Sequence, residues 1–329
     1  MMDALLQLQP PRAHDDQGEL RRVGVEIEVL DLTMEGASVV LIELFGGRGV
    51  MDSEYQMKVV DSALGTFGVE VDSSPLKAIG KKRKRKRVLG AWDQIREKFF
   101  GAVAEYVTPT EIVTAPLLPE DLVEMDRLTE ALRRAGGVGT EASVAYGIGV
   151  HLNPSVPSSS PRVLRDYIRA FVLLYPWLVR ALHPNISRRF LRFIAPYPAS
   201  YARLVLDPSY APSLSDLIDD YLRHNPTRNR GLDLLPLFAH LDRARVERVI
   251  DDKRVSARPT FHFRMPDSRV DDPCFRITDQ WRAWLEVERL VADTARLEQL
   301  SRGVFDALRS PWAIVRRRPF FVQPAQGAP

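Results

Sequence analysis

Residues Arg22 to Val29 alternate without interruption, with Val23, Val25, Ile27 and Val29 on one side and Gly24, Glu26 and Glu28 on the other. A period of two over this length predicts a β-strand with one buried face. Both carboxylates then share the opposite face. Like charges held that close repel one another unless a cation or a proton lies between them, so the Glu26-x-Glu28 pair suits a hard metal ion.

Further strands are predicted over Ser38 to Phe45 and Phe67 to Val71, with Gly46-Gly47 and Asp72 to Pro75 as breaks. Trp92, Ile95, Phe99 and Val103 recur at helical spacing within Ala91 to Val107. Thr110 to Thr114 is a short β-branched strand that carries Glu111 and ends at Ala115-Pro116. Pro119-Glu120-Asp121 opens a helix bearing Leu122, Met125, Leu128 and Leu132, and Gly136-Gly137 closes it. Ser143 to Leu152 reads as another strand, in which Gly147 and Gly149 precede His151 and Asn153 and permit a close approach to the backbone.

Ser160-Pro161 makes an N-cap and first turn for a helix carrying Leu164, Ile168, Phe171, Tyr175, Leu178 and Leu182, with Pro176 as a candidate kink. Shorter helices are predicted over Leu214 to Arg223 and Asp233 to His240, then a strand over Thr260 to Met265 and one long helix from Thr278 to Leu308. Strands and helices do not alternate in βαβ order. The class predicted is α+β, a largely antiparallel curved sheet covered by helices. No glycine-rich loop ending in Lys-Ser or Lys-Thr is present, so phosphate would be held by other means.

A chain of 329 residues with 45% hydrophobic content can fill one large core. The organisation expected is a flexible segment over 1–19, one catalytic domain over 20–310 with a basic insert at 80–90, and a tail over 311–329. No run of roughly 18 apolar residues crosses a bilayer, and the first residues lack the basic-then-apolar order of a secretory signal. No membrane partner is expected, and the location expected is cytoplasmic. The lone Cys274 excludes an internal disulfide. Net charge is only +3, but Lys81 to Arg87 are seven consecutive cations. That run reads first as a solvated loop. Its other readings are steering of an anionic substrate or nucleotide, and nucleic-acid binding, which is the least favoured.

Read in order, Gly24-x-Glu26-x-Glu28, Glu111-Ile112-Val113-Thr114-Ala115-Pro116, Gly147-Ile148-Gly149-Val150-His151-Leu152-Asn153 and Phe261-His262-Phe263-Arg264 resemble the ordered motifs of the amidoligases. These are carboxylate–amine ligases related to glutamine synthetase and glutamate–cysteine ligase. Pro184 to Arg189 looks like the glutamine synthetase segment that supplies a substrate-binding arginine. Arg230-Gly231-Leu232-Asp233 looks like the R-x-L-N segment, and Phe263 to Asp267 like the E-x-R-x-P-D strand. Two positions depart from these patterns: His262 stands where the family has glutamate, and Asp233 where it has asparagine.

The resemblance implies a glutamine synthetase-like catalytic fold and an ATP- and Mg²⁺-dependent ligase, with Mn²⁺ as an alternative ion because of His262. It implies Glu26, Glu28, Glu111, His151 and His262 as metal ligands. Arg264 and Glu28 are the catalytic candidates, with Arg264 also on phosphate oxygens beside His151, Asn153, Gly147 and Gly149. Arg188, Arg189 and Arg230 are candidates for holding a substrate carboxylate. The substrates implied are a small-molecule or peptide carboxylate and an amine. Two alternatives stay open: a kinase acting on an amine or guanidine, and a noncatalytic relative that binds nucleotide or an acidic partner.

Overall fold

The computed structural model describes residues 6–71, 108–140, 148–184 and 194–309. The predicted helix over 91–107, the basic run 81–87, and Gly147, Arg188 and Arg189 lie outside them. Among the described residues the chain is a mixed α+β structure around an eight-stranded sheet of order β2-β3-β4-β5-β1-β6-β8-β7, every neighbouring pair antiparallel.

The strands are β1 (Val23–Val29), β2 (Arg48–Ser53), β3 (Gln56–Ser62), β4 (Gly65–Val71), β5 (Thr110–Val113), β6 (Val150–Pro154), β7 (Leu232–Asp233) and β8 (His262–Phe263). The helices are α1 (Met34–Phe45), α2 (Leu122–Arg134), α3 (Pro161–Leu182), α4 (Ala199–Leu206), α5 (Leu214–His224), α6 (Leu235–Leu241), α7 (Arg243–Glu247), α8 (Ile277–Ala292) and α9 (Thr294–Arg309). None of the described helices is long and apolar enough to cross a membrane.

The alternation in β1 has the predicted result. Val23, Val25, Ile27 and Val29 are all fully buried, and Ile112, Val150, Leu152 and Phe263 from the neighbouring strands join them in one core. α1 packs on β3 to β5, where Phe45 stacks on Phe67 with ring centroids 5.5 Å apart. At the other end of the sheet, Trp284 of α8 meets Phe263 at 5.4 Å. A buried polar knot fastens β1 to these helices. Arg21 donates to both carboxylate oxygens of Glu288, at 3.0 and 2.7 Å, while Trp284 and Tyr167 donate to the same carboxylate. A charge this deep is tolerated because every lone pair of Glu288 that the interior can reach has a donor.

Four predictions change. The run Ser38 to Phe45 is helical, not a strand: Thr33 caps α1 by accepting from Gly36, and Met34, Ala37, Leu41 and Phe45 fall on one buried stripe. Local β-branched character at Val39, Val40 and Ile42 is overridden by that tertiary burial. Of the strand expected over Ser143 to Leu152, residues 143–147 lie outside the described part and the strand seen runs from Val150 to Pro154, while the one expected over Thr260 to Met265 shrinks to two residues. The long terminal helix is two helices. Asp293 ends α8 and accepts from the Arg296 amide at 3.0 Å, which starts α9.

The hairpin β2–β3 was not predicted. Gly47 enters it at φ 88°, with the carbonyl of Val60 2.4 Å from where a Cβ would lie, so only glycine fits. Before β1, Leu8 is buried and its carbonyl accepts from Trp281 at 2.7 Å.

Candidate active site

The face of the sheet opposite the core collects the polar residues of six strands. Register places Glu28 directly opposite Glu111, and Glu111 directly opposite Glu70 on β4, so three carboxylates form a row across three adjacent strands. Like charges in directly opposed positions are destabilising by themselves. On the other side of β1, Glu26 lies opposite His151 and Gly24 opposite Asn153. Asp233 lies opposite His262 at the far edge.

Glu26 is the centre of the second half. His151 Nδ1 is 2.8 Å from its Oε2, Asn153 Nδ2 donates to its Oε1 at 2.9 Å, and Arg258 Nη2 is 3.0 Å from the same oxygen. Arg258 also donates to Asn153 Oδ1 at 2.8 Å, so both ends of that amide are engaged inside the cluster. His262 stands edge-on to His151, ring centroids 5.0 Å apart. Its Nε2 lies 3.7 Å from Glu26 and its Nδ1 3.5 Å from Asp233, and neither nitrogen makes a hydrogen bond.

Burial pushes the His151 imidazole down to about 3, opposed by its bond to Glu26 and reinforced by the nearby charge of Arg264. Burial alone would raise the Glu26 carboxyl, but its contacts with His151 and His262 hold it well below the usual carboxylate range. At neutral pH the pair is therefore an ionised Glu26 and a neutral His151. The Nδ1–H donates to Glu26, which leaves the Nε2 lone pair available; an imidazole oriented by a carboxylate in this way is the usual state of a metal-binding histidine.

Two groups can hold a divalent ion, each with one donor atom per residue and all donors within 4.8 Å: Glu28, Glu111 and His151, and the more deeply buried Glu26, His151 and His262. A neutral imidazole that donates through one nitrogen has one lone pair to give, so His151 serves one ion at a time. The first group fits a hard or borderline ion by its chemistry, two half-buried carboxylates and one buried nitrogen on three adjacent central strands of the sheet. In the second, Glu26 already accepts from two donors and pairs with a third.

The remaining predicted residues are placed as follows. The Gly149 amide donates to Glu28 Oε2 at 2.6 Å, so this glycine fixes a carboxylate. Arg264 is half-buried and its Nη1 donates to the carbonyl of Arg228 at 3.2 Å. Arg230 donates to the carbonyl of Pro196 at 2.9 Å. Burial and the neighbouring Arg264 lower the Arg228 guanidinium, which places two cations side by side on this flank.

A family model described as "Putative amidoligase enzyme" matches residues 19–286, which contain both carboxylate groups, His151, His262 and Arg264. The chain belongs to the amidoligase family. No curated protein and no solved structure matches this amidoligase.

Sequence reasoning missed Glu70 and Arg258. Glu70 alternates with Val69 and Val71 in a strand that was predicted, so its face was readable. That it aligns with Glu111 was not, because the register depends on a pairing between strands 38 residues apart in sequence. Arg258 lies in an irregular stretch before β8, with no periodic signal to single it out.

Proposed function

We propose that this amidoligase is an ATP-dependent carboxylate–amine ligase on a glutamine synthetase-like fold, working with Mg²⁺ or Mn²⁺ and joining a small-molecule or peptide carboxylate to an amine. The observation that carries the reading is the opposed pair Glu28 and Glu111 beside a neutral His151 that Glu26 holds in one tautomer. In this reading those three residues hold the divalent ion, and Glu26 orients the imidazole without binding the ion itself. ATP supplies the phosphoryl group, and the ion offsets the charge of its phosphates.

A carboxylate is a poor acyl donor. In the proposed reaction a substrate carboxylate oxygen attacks the γ-phosphorus, ADP leaves, and the amine then attacks the acyl carbon, expelling inorganic phosphate and releasing a proton. Phosphoryl transfer depends on positioning and charge stabilisation, which matches a site rich in fixed carboxylates and arginines. Arg264, whose planar fork suits phosphate oxygens, is assigned to the transferring group. Arg228 beside it widens the same cationic flank.

The test is ADP and phosphate release by the full chain with ATP, Mn²⁺ and mixtures of amino acids and amines, with Glu28→Gln as the control. Release that requires both a carboxylate and an amine and is lost in the control supports the ligase. Transfer of phosphate to the amine or guanidine would identify a kinase instead, and absence of divalent-dependent turnover would favour a noncatalytic relative.

A further inference from the structure

The two halves of the polar face balance their charge differently, and Arg258 is the reason. Its Nη2 lies 3.0 Å from Glu26 Oε1 and 2.8 Å from Asn153 Oδ1, while its Nε makes no hydrogen bond. The Arg258 side chain is 29% exposed against 10% for Glu26, so the guanidinium caps the carboxylate from the solvent side. A carboxylate has about four lone-pair positions, and His151, Asn153 and Arg258 occupy three of those on Glu26. A divalent ion beside His151 and His262 would meet Glu26 at Oε2 and share the carboxylate with the full positive charge of Arg258 on Oε1, in a position where screening by water is weak. At the other half, Glu28 and Glu111 oppose each other across β1 and β5 and together match the charge of one divalent ion.

We propose that Arg258 is the built-in counter-cation of Glu26, so that the chain takes a single divalent ion, at Glu28, Glu111 and His151, and presents the Arg258 guanidinium to the anionic phosphates from the Glu26 side. The proposal rests on the nucleotide-and-metal reading above. It makes Arg258 a positioning residue for Glu26 and His151 and, through its outer edge, a phosphate contact. Nothing in the sequence pattern marks this residue; the juxtaposition arises because the stretch before β8 brings Arg258 to Glu26 Oε1 and Asn153 Oδ1.

The experiment counts Mn²⁺ bound to the full chain, by metal analysis after gel filtration and by electron paramagnetic resonance, with and without a nonhydrolysable ATP analogue. The result expected is one Mn²⁺ per chain in the wild type and in Arg258→Lys. Arg258→Gln leaves Glu26 without its cation and should admit a second, spin-coupled Mn²⁺ that disappears in the Glu26→Gln/Arg258→Gln double variant. Analogue affinity at one bound ion should fall about tenfold in Arg258→Gln.

Two Mn²⁺ in the wild type, the second lost in Glu26→Gln or His262→Gln, would overturn the proposal and leave the ligase reading standing. One ion in Arg258→Gln with unchanged analogue affinity would overturn it as well. No Mn²⁺ bound by any form would overturn both. Should Arg258→Gln fail to fold, the wild-type stoichiometry and Arg258→Lys decide the matter.

Discussion

The polar face of the sheet divides at His151 into two halves that share a scaffold and obey opposite rules. Toward β7, Glu26 is matched by His151, Asn153 and Arg258, and Asp233 accepts from the Leu235 amide at 3.0 Å through one oxygen while the other faces the His262 imidazole at 3.5 Å. Toward β4, acid opposes acid, Glu28 against Glu111 and Glu111 against Glu70. The first half helps to hold the fold together. The second sets like charges in opposed register, a repulsion that the proposed ion would offset.

That contrast gives mutations of opposite sign. Glu26→Gln removes the acceptor shared by three buried or half-buried donors, so unfolding in denaturant should show a loss of about 3 kcal/mol. Glu111→Gln relieves a like-charge contact, so stability should hold or rise by up to about 1 kcal/mol. Its Mn²⁺ affinity, measured by titration calorimetry, should nonetheless fall by about 100-fold. If the two variants destabilise the protein equally, the division at His151 is wrong.

Acid pH breaks the matched half first. His151 drops from 6.5 to about 3 in the folded protein, so between those values the unfolded chain binds a proton that the folded chain excludes. Stability contributed by the neutral imidazole is present above the unfolded value and is lost as pH falls through this window. In chelator, thermal unfolding should weaken on going from pH 6.5 to 5, by about 2 kcal/mol. Glu26, held below its usual range, contributes in the same direction at still lower pH. His151→Gln should flatten the upper part of this profile. An unchanged slope would mean that the imidazole takes up its proton alike in the folded and unfolded chain.

The smallest effect sharpens the boundary of the proposed ion site. Glu70 opposes Glu111 but is not part of the cluster with His151. Glu70→Gln should therefore weaken Mn²⁺ only through longer-range attraction, about fivefold at most. A loss as large as that of Glu111→Gln would move the ion toward β4.

Much of this was legible in the sequence because β1 carries its information locally. The alternation of Val23, Val25, Ile27 and Val29 with Glu26 and Glu28 assigns both faces without reference to any other strand. Glu111, His151, His262 and Arg264 are singled out by their order along the chain and their likeness to amidoligase motifs. What stayed hidden depends on pairing between distant segments: the alignment of Glu70 with Glu111, the capping of Glu26 by Arg258, and the helical state of Met34–Phe45, which burial decides against a run of β-branched residues. The division between matched and opposed acids is of the same kind. Nothing in Glu26-x-Glu28 distinguishes a carboxylate that orients a histidine from one that faces another acid two residues later.

The most direct test is calorimetric titration of the full chain with ATP in the presence and absence of Mn²⁺, repeated on Glu28→Gln. The account predicts nucleotide binding that requires the ion and is lost in the variant while its fold persists. Nucleotide binding of equal strength without Mn²⁺, or undiminished in Glu28→Gln, would contradict it.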